Sequence, residues 1–87
     1  DAIIGTNVEI GYGAVICARA EIGDDTIIGA NAVIGPGCVI GRRSVIGANS
    51  VVQFALIGDD VHIPPNISIG QDGGKTTCHN KPYHPIR

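Results

Sequence analysis

Aliphatic residues recur along the chain at every sixth position. Ile4, Ile10, Ile16, Ile22, Ile28, Ile34, Ile40, Ile46 and Val52 form one unbroken series. The phase then slips by one residue, and Ile57, Ile63 and Ile69 continue it. Such a fixed short period predicts a stack of identical units. The neighbouring columns agree. Gly5, Gly11, Gly23, Gly29, Gly35, Gly41, Gly47, Gly58 and Gly70 each follow an aliphatic residue, and Cys17, Gln53 and Pro64 replace glycine elsewhere. Four positions after the aliphatic residue stands a small or branched one: Val8, Ala14, Ala20, Thr26, Ala32, Cys38, Ser44, Ser50, Val61 or Ile67.

The column three positions after the aliphatic residue fixes the corners. It holds Asn7, Gly13, Asp25, Asn31, Gly37, Asn49, Asp60, Asn66 and Asp72, residues that tolerate positive φ. Pro36-Gly37 and Pro65-Asn66 have the order of type II turns. Each unit is therefore a short strand followed by a tight turn. The strand is expected to run from the small residue to the glycine, with the small and aliphatic residues inward. Three strands close a triangular coil, and twelve units give about four coils spaced ~4.8 Å apart. This predicts an all-β, single-stranded parallel β-helix over residues 1–73, followed by a polar basic loop or tail over 74–87.

The residue between the two inward positions faces out. It is apolar at Val15, Ile27, Val33, Val39, Val45 and Val51. Residues eighteen apart share a face, so Val15, Val33 and Val51 form one row, and Ile27 and Val45 a shorter one. A continuous apolar row on a free surface predicts a subunit interface, although valine also suits strands for its own sake. The slip at Val52-Gln53-Phe54-Ala55-Leu56 deletes a turn residue. There Phe54 is expected to cover a distorted corner or reach towards a neighbouring subunit.

Composition supports thin layers over one thick core: 13 Gly, no Met or Trp, and Tyr12, Phe54 and Tyr83 as the aromatics. Net charge is −2. Residues 1–74 carry three arginines against eight acids, −5, and residues 75–87 carry Lys75, Lys81 and Arg87, +3. The acidic body makes a poor nucleic-acid surface. Three cysteines without paired spacing argue against a disulfide scaffold. Cys38 is expected in the core, and Cys17 at an outward glycine position. No leader or long apolar run is present, which predicts a cytoplasmic protein with no membrane insertion. The first repeat starts almost at residue 1 with no terminal helix, which predicts a piece of a larger protein.

Candidate chemistry lies after the repeats. His79 and His84 are candidate general bases, since a neutral imidazole can take a proton from an amine or hydroxyl. Lys75 and Lys81 are candidate contacts for an acidic carrier or its phosphates. His62, at an outward strand position, is a candidate lining residue of a groove between subunits. Cys78, His79 and His84 lack metal-site spacing, so no metal is expected. Gly73-Gly74-Lys75-Thr76 lacks the first glycine and helix of a phosphate loop.

Hexads of this Ile-Gly-x-x-small-x form resemble the hexapeptide-repeat acyltransferases, and the resemblance implies a left-handed coil and a closed homotrimer. Ile28 to Arg43, then Val52-Gln53-Phe54-Ala55-Leu56-Ile57-Gly58-Asp59-Asp60, then Ile69-Gly70-Gln71-Asp72-Gly73, are similar to the UDP-3-O-acylglucosamine N-acyltransferases of lipid A synthesis. The similarity covers residues 4–73. It implies acyl transfer from a carrier thioester, acyl carrier protein or coenzyme A, to an amine or hydroxyl of a nucleotide-sugar-type acceptor, with no bound cofactor. The catalytic histidine of those enzymes lies in a later coil, beyond the matching stretch, and no residue here inherits its role. A second reading is an inert β-helix scaffold that folds and oligomerises only. Rows of outward threonine, as a flat ice-binding face requires, are absent.

Overall fold

The computed structural model describes residues 1–70. Twelve two-residue strands follow in order: β1 (Ile3–Ile4), β2 (Glu9–Ile10), β3 (Val15–Ile16), β4 (Glu21–Ile22), β5 (Ile27–Ile28), β6 (Val33–Ile34), β7 (Val39–Ile40), β8 (Val45–Ile46), β9 (Val51–Val52), β10 (Leu56–Ile57), β11 (His62–Ile63) and β12 (Ser68–Ile69). Each strand is the outward residue plus the inward aliphatic one. That is shorter than the four-residue strand the sequence predicts, because the small residue and the glycine already belong to the corners.

The strands sort into three parallel sheets, β1-β4-β7-β10, β2-β5-β8-β11 and β3-β6-β9-β12. These are the first, second and third faces of a triangular prism. The chain visits each face in turn and returns one layer higher, so the fold is a parallel β-solenoid of four coils. This is consistent with the left-handed β-helix that the family resemblance implies. Pairing runs at eighteen residues in the lower coils, as in Ile3 with Glu21. It falls to seventeen above the slip, where Leu56 pairs with Val39, His62 with Val45 and Ser68 with Val51.

The corners turn on positive φ. Asn7, Asp25, Asn31, Asn49, Asp60 and Asn66 adopt it, with Gly13 and Gly37. Arg19 (φ 63°) and Arg43 (φ 56°) do so as well, although arginine is not a residue that favours it. Coil closure therefore imposes the conformation whatever side chain is present. At the slip the turn contracts, and Phe54 takes the left-handed position alone at φ 52°.

Ile16, Ile22, Ile28, Ile34, Ile40, Ile46, Val52 and Ile63 stack in the interior with Ala14, Ala20, Ala32 and Cys38. Burial of this aliphatic column supplies the main stabilisation, roughly 25 cal/mol per Å² of apolar surface. Polar members of the small column are satisfied between layers. Thr26 Oγ1 donates to Gly41 O at 2.7 Å, Ser44 Oγ to Gly58 O at 2.9 Å and Ser50 Oγ to Pro64 O at 2.8 Å. Each hydroxyl also accepts a backbone N–H, from Ser44, Val61 and Ile67 respectively.

Cys38 is a free buried thiol, as expected of the core column. Cys17 departs from expectation: it is fully buried, not outward. The glycine column hugs the coil above, so a side chain there is enclosed by the stack. Among the described residues no helix is long and apolar enough to cross a membrane. The predicted tail over 74–87 lies outside the described residues.

Candidate functional site

Outward residues at equivalent places in successive coils form one vertical row per face. The first face carries Ile3, Glu21, Val39 and Leu56. The second carries Glu9, Ile27, Val45 and His62. The third carries Val15, Val33, Val51 and Ser68. The two predicted rows, Val15-Val33-Val51 and Ile27-Val45, are therefore present, and they lie on adjacent faces that share a corner. Leu56 extends the apolar surface of the first face at 80% exposure. Counting by eighteen hides its partnership with Val39; counting by seventeen after the slip reveals it.

His62 opens the top described layer of the second face and is exposed. Directly below it are Val45 and Ile27. Its strand β11 is paired with β8 on its lower side, and the row beneath is apolar, with Val45 half-buried and Ile27 exposed. His79, His84, Lys75 and Lys81 lie outside the described residues. Among the described residues no group of His, Cys, Asp and Glu is arranged to hold a metal ion.

Charge is concentrated at the corner between the first and second faces. Asp24-Asp25, Arg42-Arg43 and Asp59-Asp60 stack there in successive coils. Asp24 Oδ1 accepts the Thr6 N–H at 2.8 Å and Asp59 Oδ1 accepts the Arg42 N–H at 2.8 Å, so each carboxylate caps the layer below. Arg42 Nη2 also lies 3.7 Å from Asp59 Oδ2. The Arg43 hydrogen bond holds the Asp60 carboxyl below its ordinary value, with the charges of Arg43, Arg42 and His62 acting the same way against partial desolvation. His62 thus sits within electrostatic reach of an ionised carboxylate.

The corner between the second and third faces is the opposite. Its turns are Gly11-Tyr12-Gly13, Gly29-Ala30-Asn31, Gly47-Ala48-Asn49 and Pro64-Pro65-Asn66, uncharged in every coil. The third corner, between the third and first faces, carries Arg19, Pro36 and Phe54. Gln53 is buried there, and its Nε2 has no hydrogen-bond partner among the described residues. Sequence reading placed Gln53 in the glycine column without assigning it an environment.

This prism, with a histidine at the head of an apolar row, belongs to a class of repeat scaffolds that present side chains on flat faces. Residues 19–54 match the family model described as bacterial transferase hexapeptide (six repeats), and residues 39–71 match the hexapeptide repeat of succinyl-transferase. Residues 19–71 thus carry hexapeptide repeats similar to those these two transferase models describe. No curated protein matches it.

Proposed function

We propose that the chain is an acyltransferase, or the scaffold part of one, moving an acyl group from a carrier thioester to an amine or hydroxyl. The observation that carries the reading is the pair of transferase hexapeptide matches across residues 19–71. The placement of His62 above Val45 and Ile27 supports it. In the proposed reaction the acceptor nitrogen or oxygen attacks the thioester carbonyl. A carbon–nitrogen or carbon–oxygen bond forms, the carbon–sulfur bond breaks, and a base passes the acceptor's proton to the leaving thiolate. No covalent intermediate on the protein is needed. His62, His79 and His84 are the candidate bases, and His62 is the one whose position supports the role. Lys75 and Lys81 are proposed to meet the phosphates of coenzyme A or of an acyl carrier protein.

The finer reading is an N-acyl transfer to a nucleotide-sugar-type acceptor on the lipid A route. It is supported by the Val52-Gln53-Phe54-Ala55-Leu56 slip and the Ile69–Gly73 stretch. A homotrimer is proposed from the apolar rows, and the cytoplasm from the thioester donor.

The test is thiol release from acyl-coenzyme A and from acylated carrier protein, with UDP-amino sugar as acceptor. Transfer is expected from the native chain, with a loss of about 10²–10⁴-fold in His62→Ala. Full activity in His62→Ala together with its loss in His79→Ala or His84→Ala would move the base to the tail. No release above the uncatalysed rate would leave the inert-scaffold reading in place.

A further inference from the structure

We infer that the upper half of the first face docks a basic, amphipathic α-helix of another protein, laid along the prism axis. Apolar side chains one helical turn apart cover Leu56 and Val39, and a lysine or arginine one turn further meets Glu21. The surface is separate from the rows on the second and third faces, and docking there requires no transferase activity.

The apolar part lies at the slip. Phe54 is 70% and Leu56 80% exposed, the two most exposed large apolar side chains among the described residues. Leu56 stands directly above Val39 in the first face. Pro36 and Gly37, exposed at the same corner one coil below Phe54, extend the patch. A single exposed apolar side chain is ordinary, whereas a contiguous patch marks an interaction site.

The layer beneath is acidic. Glu21 lies directly under Val39 in the same row. Asp24 and Asp25 turn the corner of that coil, giving three exposed carboxylates against Arg19 at the opposite corner. Glu21 has no ion pair among the described residues. In the two coils above, Arg42 and Arg43 are paired with Asp59 and Asp60, so those charges offset one another. A second copy of this body therefore brings little basic surface to match, since two of the three arginines in residues 1–70 are already paired. Charge complementarity makes the partner cationic, and the patch above makes it apolar on the same side.

The spacing selects a helix. Successive layers stand ~4.8 Å apart, close to the α-helical pitch of about 5.4 Å. A helix parallel to the prism keeps step with the row, with residues i and i+4 over Leu56 and Val39 and residue i+8 over Glu21. The mismatch over two layers is about 1 Å, which a flexible lysine absorbs. A helix about 10 Å across also covers Phe54 and Leu56, two residues apart in one layer. An extended strand repeats its side chains on one face every ~6.8 Å and falls out of step at once.

The test uses a peptide of alanine and glutamine with leucine at i and i+4 and lysine at i+8, titrated into the isotope-labelled full chain. Amide shifts should saturate, cluster at Glu21, Val39 and Leu56, and weaken with added salt. Leu56→Ser and Glu21→Lys should each lower affinity about tenfold. A second peptide with glutamate in place of the lysine should bind Glu21→Lys better than it binds the native chain. Ile27→Ser, on the second face, should bind the lysine peptide as the native chain does. All three positions are exposed, and the variants should keep the β circular dichroism of the native chain. Shifts that do not saturate, equal weakening by Ile27→Ser, or no preference of the glutamate peptide for Glu21→Lys would overturn the inference. If Glu21→Lys fails to fold, the two peptides binding the native chain equally well is the overturning result. Shifts at Val39 and Leu56 that depend on chain concentration without peptide also overturn it, because a second copy then covers the face.

Discussion

Arg43 and Asp60 meet across adjacent coils in a two-pronged contact, Nε to Oδ1 at 2.8 Å and Nη2 to Oδ2 at 3.1 Å. The pair ties two left-handed turn residues together at the charged corner. The hydrogen bond from Arg43 depresses the Asp60 carboxyl below its ordinary 3.8, and the same bond raises the Arg43 guanidinium above its ordinary value. A depressed carboxyl adds stability that is present above its unfolded value and is lost as pH falls through its folded value. Asp60→Asn should therefore lower Tm at pH 7, and the difference from native should close only as pH drops below 3.8. Both side chains are more than half exposed, so the effect is small and should fade with added salt. Thermal melts at two pH values and two salt concentrations check this.

The glycine column makes a sharper prediction. A Cβ on Gly29 would stand 2.5 Å from Ala48 N and 2.8 Å from Gly47 C, both backbone atoms of the coil above. Gly29→Ala must push two layers apart and should cost about 1–3 kcal/mol or more. A Cβ on Gly58 meets no described atom within 4 Å, and its φ is not positive. Gly58→Ala should be neutral or stabilising by about 0.4–1 kcal/mol, since it restricts the unfolded chain. Urea titration of both variants reads the contrast; equal destabilisation would contradict the layer-contact account.

Those glycines show what a sequence can reveal about this molecule. The inward columns were legible because alternation in a strand and a fixed period leave only one phase that buries every aliphatic residue. Val15, Val33 and Val51 share a face for the same reason. Legibility failed where the coil overrides the residue. Arg19 and Arg43 carry no mark of positive φ, because closure of the triangle imposes it. Leu56 was missed because the slip changes the spacing between layers from eighteen to seventeen. The column of Cys17 reads as outward because it is glycine, yet glycine is there to let the next coil approach, which makes the column enclosed. Of the candidate site, only His62 and the two apolar rows could be placed; a face and a height follow from the repeat, whereas residues beyond it have no period to locate them.

The hydroxyls inside the prism are a second layer-to-layer device. Ser44 is fully buried, donates to Gly58 O at 2.9 Å and accepts the Val61 N–H at 3.2 Å. Ser44→Ala removes both contacts and leaves a backbone donor and acceptor short of a partner. The expected loss is about 1–3 kcal/mol, far more than burying a methyl returns. Ala32 occupies the equivalent inward place on another face with no hydroxyl, so the fold does not require one everywhere. Equilibrium denaturation checks the value, and a loss below a few tenths of a kcal/mol would show that the two backbone groups find other partners.

The contracted corner carries two separable strains. Gln53 buries an amide whose Nε2 has no partner among the described residues, at 5% exposure. Leaving a buried donor unmade costs about 1–3 kcal/mol, whereas an apolar group of the same shape avoids that cost. Gln53→Met keeps the unbranched outline and should hold stability level or raise it. Phe54 is 70% exposed and contributes little packing, yet it holds φ at 52°. That conformation costs an ordinary side chain about 1–2 kcal/mol, and asparagine tolerates it better. Phe54→Asn should therefore raise Tm as well. The two changes act on different terms, a missing hydrogen bond and a backbone angle, but the residues are adjacent, so their energies need not add. Melting the two single variants and the double variant separates the terms. A fall in Tm for Phe54→Asn would mean that the exposed ring is held by a contact worth more than the strain, as it would be if it packed against another copy of the chain.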